Sequence, residues 1–158
     1  MTRVLVLNGP NLQRLGTPEP DVYGVVDPAE VAAALGAATA DGVEVDLRWT
    51  DDEAELIGWL REAVDTDSPV ILNPAAFAHY SYALHEAVRL VTAGGLPVVE
   101  VHVTNPAARE AFRGESVIAP VATGVVAGLG VDGYRLALDW VGRRVRAEGV
   151  GEHPRAAG

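Results

Sequence analysis

Apolar residues recur along the chain with two different periods, and segments of the two kinds alternate. Short apolar runs predict buried strands at 3–8, 69–73, 96–103 and 116–120, and the alternating segment "VEVDLRW" predicts another at 43–49. Helical spacing predicts helices at 28–40, 51–65, 80–93, 106–113 and 123–147. Residues 149–158 show neither period, so we expect a disordered tail.

This alternation of strands and helices predicts an α/β protein with a flavodoxin-like fold, a three-layer, doubly wound, five-stranded parallel sheet. The 158 residues suit one domain, which we place at 1–148. Glycines at 124, 128, 130 and 133 predict close packing of the last helix on the sheet. Such sheets bind ligands beyond the carboxyl ends of their strands, so residues 8–16, 73–81 and 102–109 are the segments of interest.

Composition narrows the possible chemistry. The formal charge of −10 disfavours nucleic acid and anionic membranes as partners. The chain has no cysteine, and all twelve basic residues are arginine, which excludes thiolate chemistry, Schiff bases and a P-loop lysine. Because we find neither a signal peptide nor an apolar run long enough to span a membrane, we expect a cytoplasmic protein.

Polar side chains follow the predicted strands at their carboxyl ends. Asn11 follows the first strand, Asn73 ends the third and is followed by His79, and His102 ends the fourth. Glu100 and His102 are two apart on a strand, so both side chains point to the same side. A carboxylate beside an imidazole fixes its tautomer and favours its protonated form. The same spacing is equally compatible with a surface ion pair.

Two arginines follow the fourth strand. Arg109 and Arg113 are four apart, which places them on one face of the predicted helix at 106–113. Such a pair suits an anionic or polyhydroxylated ligand, although solvated arginines on a helix are commoner. The histidines are too scattered to indicate a metal site.

Four segments of the chain resemble the type II 3-dehydroquinate dehydratases. They are "LNGPNLQRLGTPEPDVYG", "ILNPAAFAHYS", "VEVHVTNPAAREAFR" and "APVATGVVAGLGVDGYRLAL", in this order over roughly residues 4–140. The resemblance implies a flavodoxin-like enzyme that dehydrates 3-dehydroquinate to 3-dehydroshikimate through an enolate, without metal or cofactor. It also implies a homo-oligomer, a dodecamer built of trimers.

The resemblance also implies roles for individual residues. Tyr23 would be the base that removes the proton beside the ketone, and Asn11 would hold a water that stabilises the enolate oxygen. His102, oriented by Glu100, would protonate the departing hydroxyl as general acid. The implied substrate-binding set comprises Asn73, His79, Glu86, Val103, Thr104, Arg109 and Arg113, of which Glu86 would reach the site of a neighbouring subunit.

The chain departs from the family pattern at several positions. Pro18 stands where the family has an arginine that helps to ionise the tyrosine, and a free tyrosine has a pKa of about 10. We therefore expect a weakened base. In the loop after Asn73, Ala78 and Tyr80 replace two threonines and Phe77 adds bulk, which predicts an altered pocket. An Arg-Asp pair of the family is replaced by His85-Glu86.

Four hypotheses follow, in decreasing order of support. The first is a working type II dehydratase, impaired by Pro18. The second is a homologous enzyme that acts on a different substrate. The third is a non-catalytic homologue, although such a protein needs neither Tyr23 nor His102. The last is a nucleotide-binding protein, and the first loop lacks the glycine-rich or hydroxyl-rich character of a phosphate site.

Overall fold

Five parallel strands form a single sheet in the order β2-β1-β3-β4-β5. The structure is a computed structural model and describes residues 1–12 and 26–148. The strands are β1 Thr2–Asn8, β2 Val43–Trp49, β3 Val70–Asn73, β4 Val98–His102 and β5 Gly124–Ala127. The direction of winding reverses between β1 and β3, which is where doubly wound sheets bind ligands.

Helices cover both faces of the sheet. They are α1 Pro28–Ala38, α2 Glu53–Asp65, α3 Tyr82–Ala93 and α4 Asp132–Glu148. Alternate residues of β1 point to opposite faces: Leu5 and Leu7 pack with residues of α2 and α3, whereas Val4 and Val6 pack with residues of α1 and α4. One apolar core therefore lies on each face of the sheet, and the predicted three-layer, flavodoxin-like architecture is confirmed.

Short polar side chains begin three of the helices. The Asp27 carboxylate accepts from the N–H of Ala29, that of Asp52 accepts from Ala54, and the Ser81 hydroxyl accepts from Leu84. These bonds satisfy N–H groups that have no partner within the helix. No helix in the described ranges is both long enough and apolar enough to cross a bilayer.

The predicted fifth strand at 116–120 is wrong. The strand on the edge of the sheet lies at Gly124–Ala127, and the last helix begins at Asp132 rather than at 123. The Ser116 hydroxyl accepts from the N–H groups of Ile118 and Ala119, so these groups form a turn rather than a strand ladder. Ile118 is apolar because it is buried in the core, not because it lies in a strand.

The predicted helix at 106–113 is also wrong. Two 3₁₀ turns, Pro106–Ala108 and Ala111–Gly114, replace it. The backbone is extended at Arg109 and Glu110 between them. After the second turn the chain returns to β4, where the Ser116 hydroxyl donates to the Glu100 carboxylate.

Close packing of the last helix is confirmed at Gly133 but is wrong for the other three glycines, because Gly124 lies in β5 and Gly128 and Gly130 precede the helix. A Cβ at this position would lie 3.3 Å from Cγ1 of Val101 on β4 and 3.5 Å from Cγ1 of Val126 on β5. A larger residue would push the first turn of α4 away from the sheet. The following residue, Tyr134, is fully buried and points toward the carboxyl ends of the strands.

Candidate active site

A buried carboxylate and imidazole form an ion pair at the carboxyl end of β4. Nε2 of His102 lies 2.7 Å from Oε2 of Glu100, and the two residues are 8% and 1% exposed. The interpretation as a surface ion pair is therefore wrong. A carboxylate is stable at such a depth only when its oxygens have hydrogen-bond partners.

Ser116 supplies the second partner of this carboxylate. Its hydroxyl donates to Oε1 of Glu100 at 2.8 Å. Because the same hydroxyl oxygen accepts from the N–H groups of Ile118 and Ala119, its hydrogen is left for Glu100. Both oxygens of the carboxylate are thus occupied, one by the imidazole and one by the serine.

The ion pair determines which ring nitrogen of His102 is available. Nε2 must carry a hydrogen to donate to the carboxylate, so Nδ1 is the atom left for other chemistry. As a neutral ring it would accept a proton at Nδ1, and as an imidazolium it would donate one there. The arrangement suits proton transfer at Nδ1.

The segment 115–117 also holds two other histidines. Nδ1 of His79 donates to the carbonyl oxygen of Glu115 at 2.8 Å, and Nδ1 of His85 donates to that of Val117 at 2.6 Å. The rings of His79 and His102 face each other with their centroids 6.5 Å apart. The structure therefore brings the predicted residue His79 beside the ion pair, with its Nε2 not used by this bond.

A second buried polar group lies at the ends of β1 and β3. Asn8 and Asn73 are aligned in the register of the two strands, and the Tyr134 hydroxyl lies between their side chains. It donates to Oδ1 of Asn8 at 2.6 Å and accepts from Nδ2 of Asn73 at 2.8 Å. All three residues are buried, so this neutral network belongs to the floor of the site.

The loops above β1 and β3 approach each other closely at Gly9. A Cβ on Gly9 would lie 2.7 Å from the carbonyl oxygen of Pro74, so only glycine fits. Asn11 has φ of 66°, a left-handed conformation that asparagine tolerates, and its N–H donates to the Asp51 carboxylate at 2.8 Å. Asn11 is exposed at the same edge as Asn73.

The two predicted arginines lie close together but not on one helix. The guanidinium of Arg113 donates to Glu110 at 2.6 Å and stacks over Phe112, while Nη1 of Arg109 donates to the Thr104 hydroxyl at 3.4 Å. Both guanidinium groups are mostly buried. A hydrogen bond to its own backbone and the Arg113 guanidinium lower the pKa of Glu110 below its usual range, so this residue remains an anion between two cations.

Other predicted residues take up different positions. Val103 and Thr104 directly follow β4, and Glu86 is exposed on α3. Phe77, which was predicted to add bulk to the pocket, is buried in the core with residues of α2 and α3, and so is Ala78. Tyr80 is 58% exposed. Tyr23 and Pro18 lie outside the described residues, as does the predicted tail.

Comparison with known proteins places this geometry in a family. A family model described as dehydroquinase class II matches residues 2–142. A 3-dehydroquinate dehydratase of Salinispora tropica is 53% identical over 145 residues, covering 91% of this chain and 99% of the relative. The chain belongs to the class II dehydroquinase family. Membership confirms the expected enzyme class, a hydro-lyase.

Two further comparisons agree with this assignment. The 3-dehydroquinate dehydratase of Bacillus licheniformis is 47% identical over 142 residues, 89% of this chain and 95% of that one. The crystal structure of type II dehydroquinase from Propionibacterium acnes matches with a TM-score of 0.82 at 44% identity, covering 90% of this chain and 97% of that one. The family's fold and nearly its whole length are therefore present.

Sequence reasoning missed two residues of the site. Ser116 lies in a segment that was assigned to a strand, although a serine at the start of an apolar run is a common turn former. Tyr134 lies in the predicted last helix and is not among the residues predicted for the site. A tyrosine on the buried face of a helix requires a polar partner, and that requirement was the available signal.

Proposed function

We propose that the protein removes water from 3-dehydroquinate, the activity that its relatives' names state for them. We also propose that the reaction passes through an enolate and forms 3-dehydroshikimate. The observation that carries the proposal is the buried Glu100–His102 pair at the carboxyl end of β4 in a chain of this family. The site needs no lysine for this chemistry, and the chain has none.

The proposed reaction begins with removal of a proton from the carbon beside the ketone. Tyr23 is the proposed base, and a water held by Asn11 would stabilise the negative charge that develops on the enolate oxygen. The enolate then expels the hydroxyl group while a carbon–carbon double bond forms in conjugation with the ketone. The proton from the substrate remains on the tyrosine until it returns to solvent.

His102 is the proposed general acid for the departing hydroxyl. Since Nε2 donates to Glu100, the proton would come from Nδ1 of the imidazolium and leave with the hydroxyl as water. The Glu100 carboxylate stabilises the imidazolium before transfer and keeps the ring oriented afterwards. Ser116 keeps the carboxylate in place.

The substrate-binding residues surround this centre. We propose that Asn73 and the backbone amides of Val103 and Thr104 bind the substrate carboxylate. His79 and Arg113 would bind ring hydroxyls, and Arg109 adds positive charge near an anionic substrate. Proximity of His79 to His102, and of Arg109 to Thr104, supports this arrangement.

Turnover of 3-dehydroquinate by the pure protein tests the proposed function. We expect an increase in ultraviolet absorbance from the conjugated product, with no added metal or cofactor. No turnover at high enzyme concentration would contradict the proposal and favour the second hypothesis, an enzyme for another substrate. Burial of Phe77 and Ala78 in the core already removes part of the support for that hypothesis.

Pro18 is proposed to limit the rate, because it replaces the arginine that helps to ionise the tyrosine in the family. A nearby positive charge lowers the pKa of an acid by roughly one to three. Pro18→Arg should therefore move the acidic limb of the pH–rate profile to lower pH and raise turnover near neutral pH. Tyr23→Phe is the control, because activity surviving in that variant would remove the tyrosine from the mechanism.

We also propose that the protein is a cytoplasmic homo-oligomer, a dodecamer of trimers. Large apolar side chains are exposed on several elements, among them Tyr82, Leu90, Phe112, Val125 and Leu129. Glu86 lies on α3 near two of them and is proposed to reach a neighbouring site. Sedimentation of a stable monomer at micromolar concentration would contradict the oligomer.

A further inference from the structure

We propose that Tyr134 is a positioning residue that fixes the side-chain amide of Asn73 so that it offers the substrate an N–H donor. The inference rests on the proposed function, in which Asn73 binds the substrate carboxylate. Tyr134 acts on the substrate only through Asn73. The proposal follows from a chain of hydrogen bonds that has only one possible direction.

The chain of hydrogen bonds begins at a backbone carbonyl on β2. The carbonyl oxygen of Arg48 can only accept, so the atom of Asn8 that lies 3.1 Å from it is Nδ2. Oδ1 of Asn8 therefore faces the tyrosine and accepts its hydroxyl hydrogen at 2.6 Å. A phenol has one hydrogen, so toward Asn73 the Tyr134 oxygen can only accept.

The opposite end of the chain is also fixed by the backbone. Oδ1 of Asn73 accepts from the N–H of Ala75 at 3.2 Å, and Nδ2 donates to the Tyr134 oxygen at 2.8 Å. A flip of the Asn73 amide would place two acceptors together at Tyr134 and two donors together at Ala75. The flipped amide would thus lose both bonds in a buried place, where unpaired polar groups are costly.

Burial keeps the tyrosine in the state that this chain requires. Tyr134 and Asn8 are fully buried, and burial raises the pKa of Tyr134 well above its usual range. The phenol therefore stays neutral and keeps its hydrogen on Asn8. In the described part of the chain, the second N–H of Asn73 has no acceptor, and it is the group left for a ligand.

The orientation matters because the two ends of an amide have opposite preferences. A carboxylate oxygen accepts from an N–H but repels a carbonyl oxygen. An amide free to flip would spend part of its time with the wrong atom toward the substrate. Tyr134 therefore contributes to substrate binding from beneath the site, without touching the substrate.

Removing the phenol hydroxyl tests this role. Tyr134→Phe should raise KM for 3-dehydroquinate by about tenfold with a smaller change in kcat, because a charge-assisted hydrogen bond is lost or weakened. Val141→Ala is the matched control, since Val141 is a fully buried apolar residue of the same helix. It should lower the unfolding temperature and leave KM unchanged.

A double-mutant cycle separates positioning from general loosening of the site. If Tyr134 acts through Asn73, adding Tyr134→Phe to Asn73→Ala should change kcat/KM by less than about twofold. Losses that multiply would overturn the inference. So would a KM of Tyr134→Phe equal to that of the wild type.

Two further results complete the design. If Tyr134→Phe does not fold, Asn8→Ala removes the acceptor of the phenol hydrogen and should give the same rise in KM and the same coupling to Asn73. Suppose that the wild type turns over 3-dehydroquinate and that Asn73→Ala raises KM, but that neither Tyr134→Phe nor Asn8→Ala raises it. The inference then fails, and the proposed function stands. A wild type without turnover contradicts both.

Discussion

The two buried polar groups of the site lie on neighbouring strands and are built in opposite ways. At the end of β4, Glu100 and His102 form an ion pair that Ser116 completes. At the ends of β1 and β3, Tyr134 joins two asparagines in a network without charge. The charged group can move a proton, whereas the neutral one can only hold an orientation. The comparison separates chemistry from positioning within one site.

The charged group should show the largest effect on turnover. His102→Ala removes the proposed general acid, and we expect kcat to fall by about 10²- to 10⁴-fold. The fold should remain, because the side chain lies at the end of a strand rather than in either apolar core. Product absorbance measures the rate and circular dichroism the fold. If most of the activity survives in His102→Ala, another group protonates the hydroxyl.

Glu100→Gln should lower kcat less than His102→Ala does, because the orientation of His102 is only partly lost.

The loops beside the neutral group should show an effect on stability. Gly9→Ala would place a Cβ 2.7 Å from the Pro74 carbonyl oxygen and force backbone next to Asn73 to move. We expect the free energy of unfolding to fall by about 1–3 kcal/mol in urea titrations. Gly36→Ala is the control: a Cβ there meets nothing within 4 Å, and the helix should gain about 0.5–1 kcal/mol. Equal effects in the two variants would contradict the close approach.

Ser116 sharpens the comparison on the charged side. Ser116→Ala leaves Oε1 of Glu100 without its donor, and we expect kcat to fall by about tenfold. Ser116→Thr retains a hydroxyl and should recover most of that loss. If alanine and threonine behave alike, the serine serves only the turn at 116–119.

A partly exposed charged pair at the other edge of the sheet tests whether an ion pair outside the site affects turnover. Hydrogen bonds from Arg48 lower the pKa of Glu62 to about 2. Because this pKa lies below its unfolded value, the pair stabilises the fold above about pH 4.5, and the contribution is lost as the pH falls toward 2. Both side chains are partly exposed, so the effect should be about 1 kcal/mol or less. Denaturation of the wild type and Glu62→Gln at pH 7 and pH 3 measures it. A difference between them that grows at pH 3 would contradict the assignment, and kcat should not change.

The sequence predicted four of the five strands. The apolar residues of β1, β3 and β4 are buried on both faces, whereas β2 was recognisable from alternating apolar and polar residues. The prediction failed at β5, an exposed edge strand that contains glycine and has no strong apolar pattern. The fifth strand was predicted instead at 116–120, because this apolar run resembles that of a buried strand. The residues of the chemistry were found by resemblance and by their place after strands. Burial of the Glu100–His102 pair was not predictable. A spacing of two residues on a strand places both side chains on the same face of the sheet, but it does not show how deeply that face is buried.

The bond between Asn8 and Tyr134 joins residues 126 positions apart, which has a consequence for how the protein is made. At roughly 5–20 residues per second, Tyr134 is synthesised about 6–25 seconds after Asn8. The nascent chain can pair β1 with β2 and β3 during that interval, but Asn8 and Asn73 do not yet have their hydrogen bonds to the Tyr134 hydroxyl. The floor of the site is therefore closed only once α4 has been synthesised, so the enzyme cannot mature before that helix leaves the ribosome.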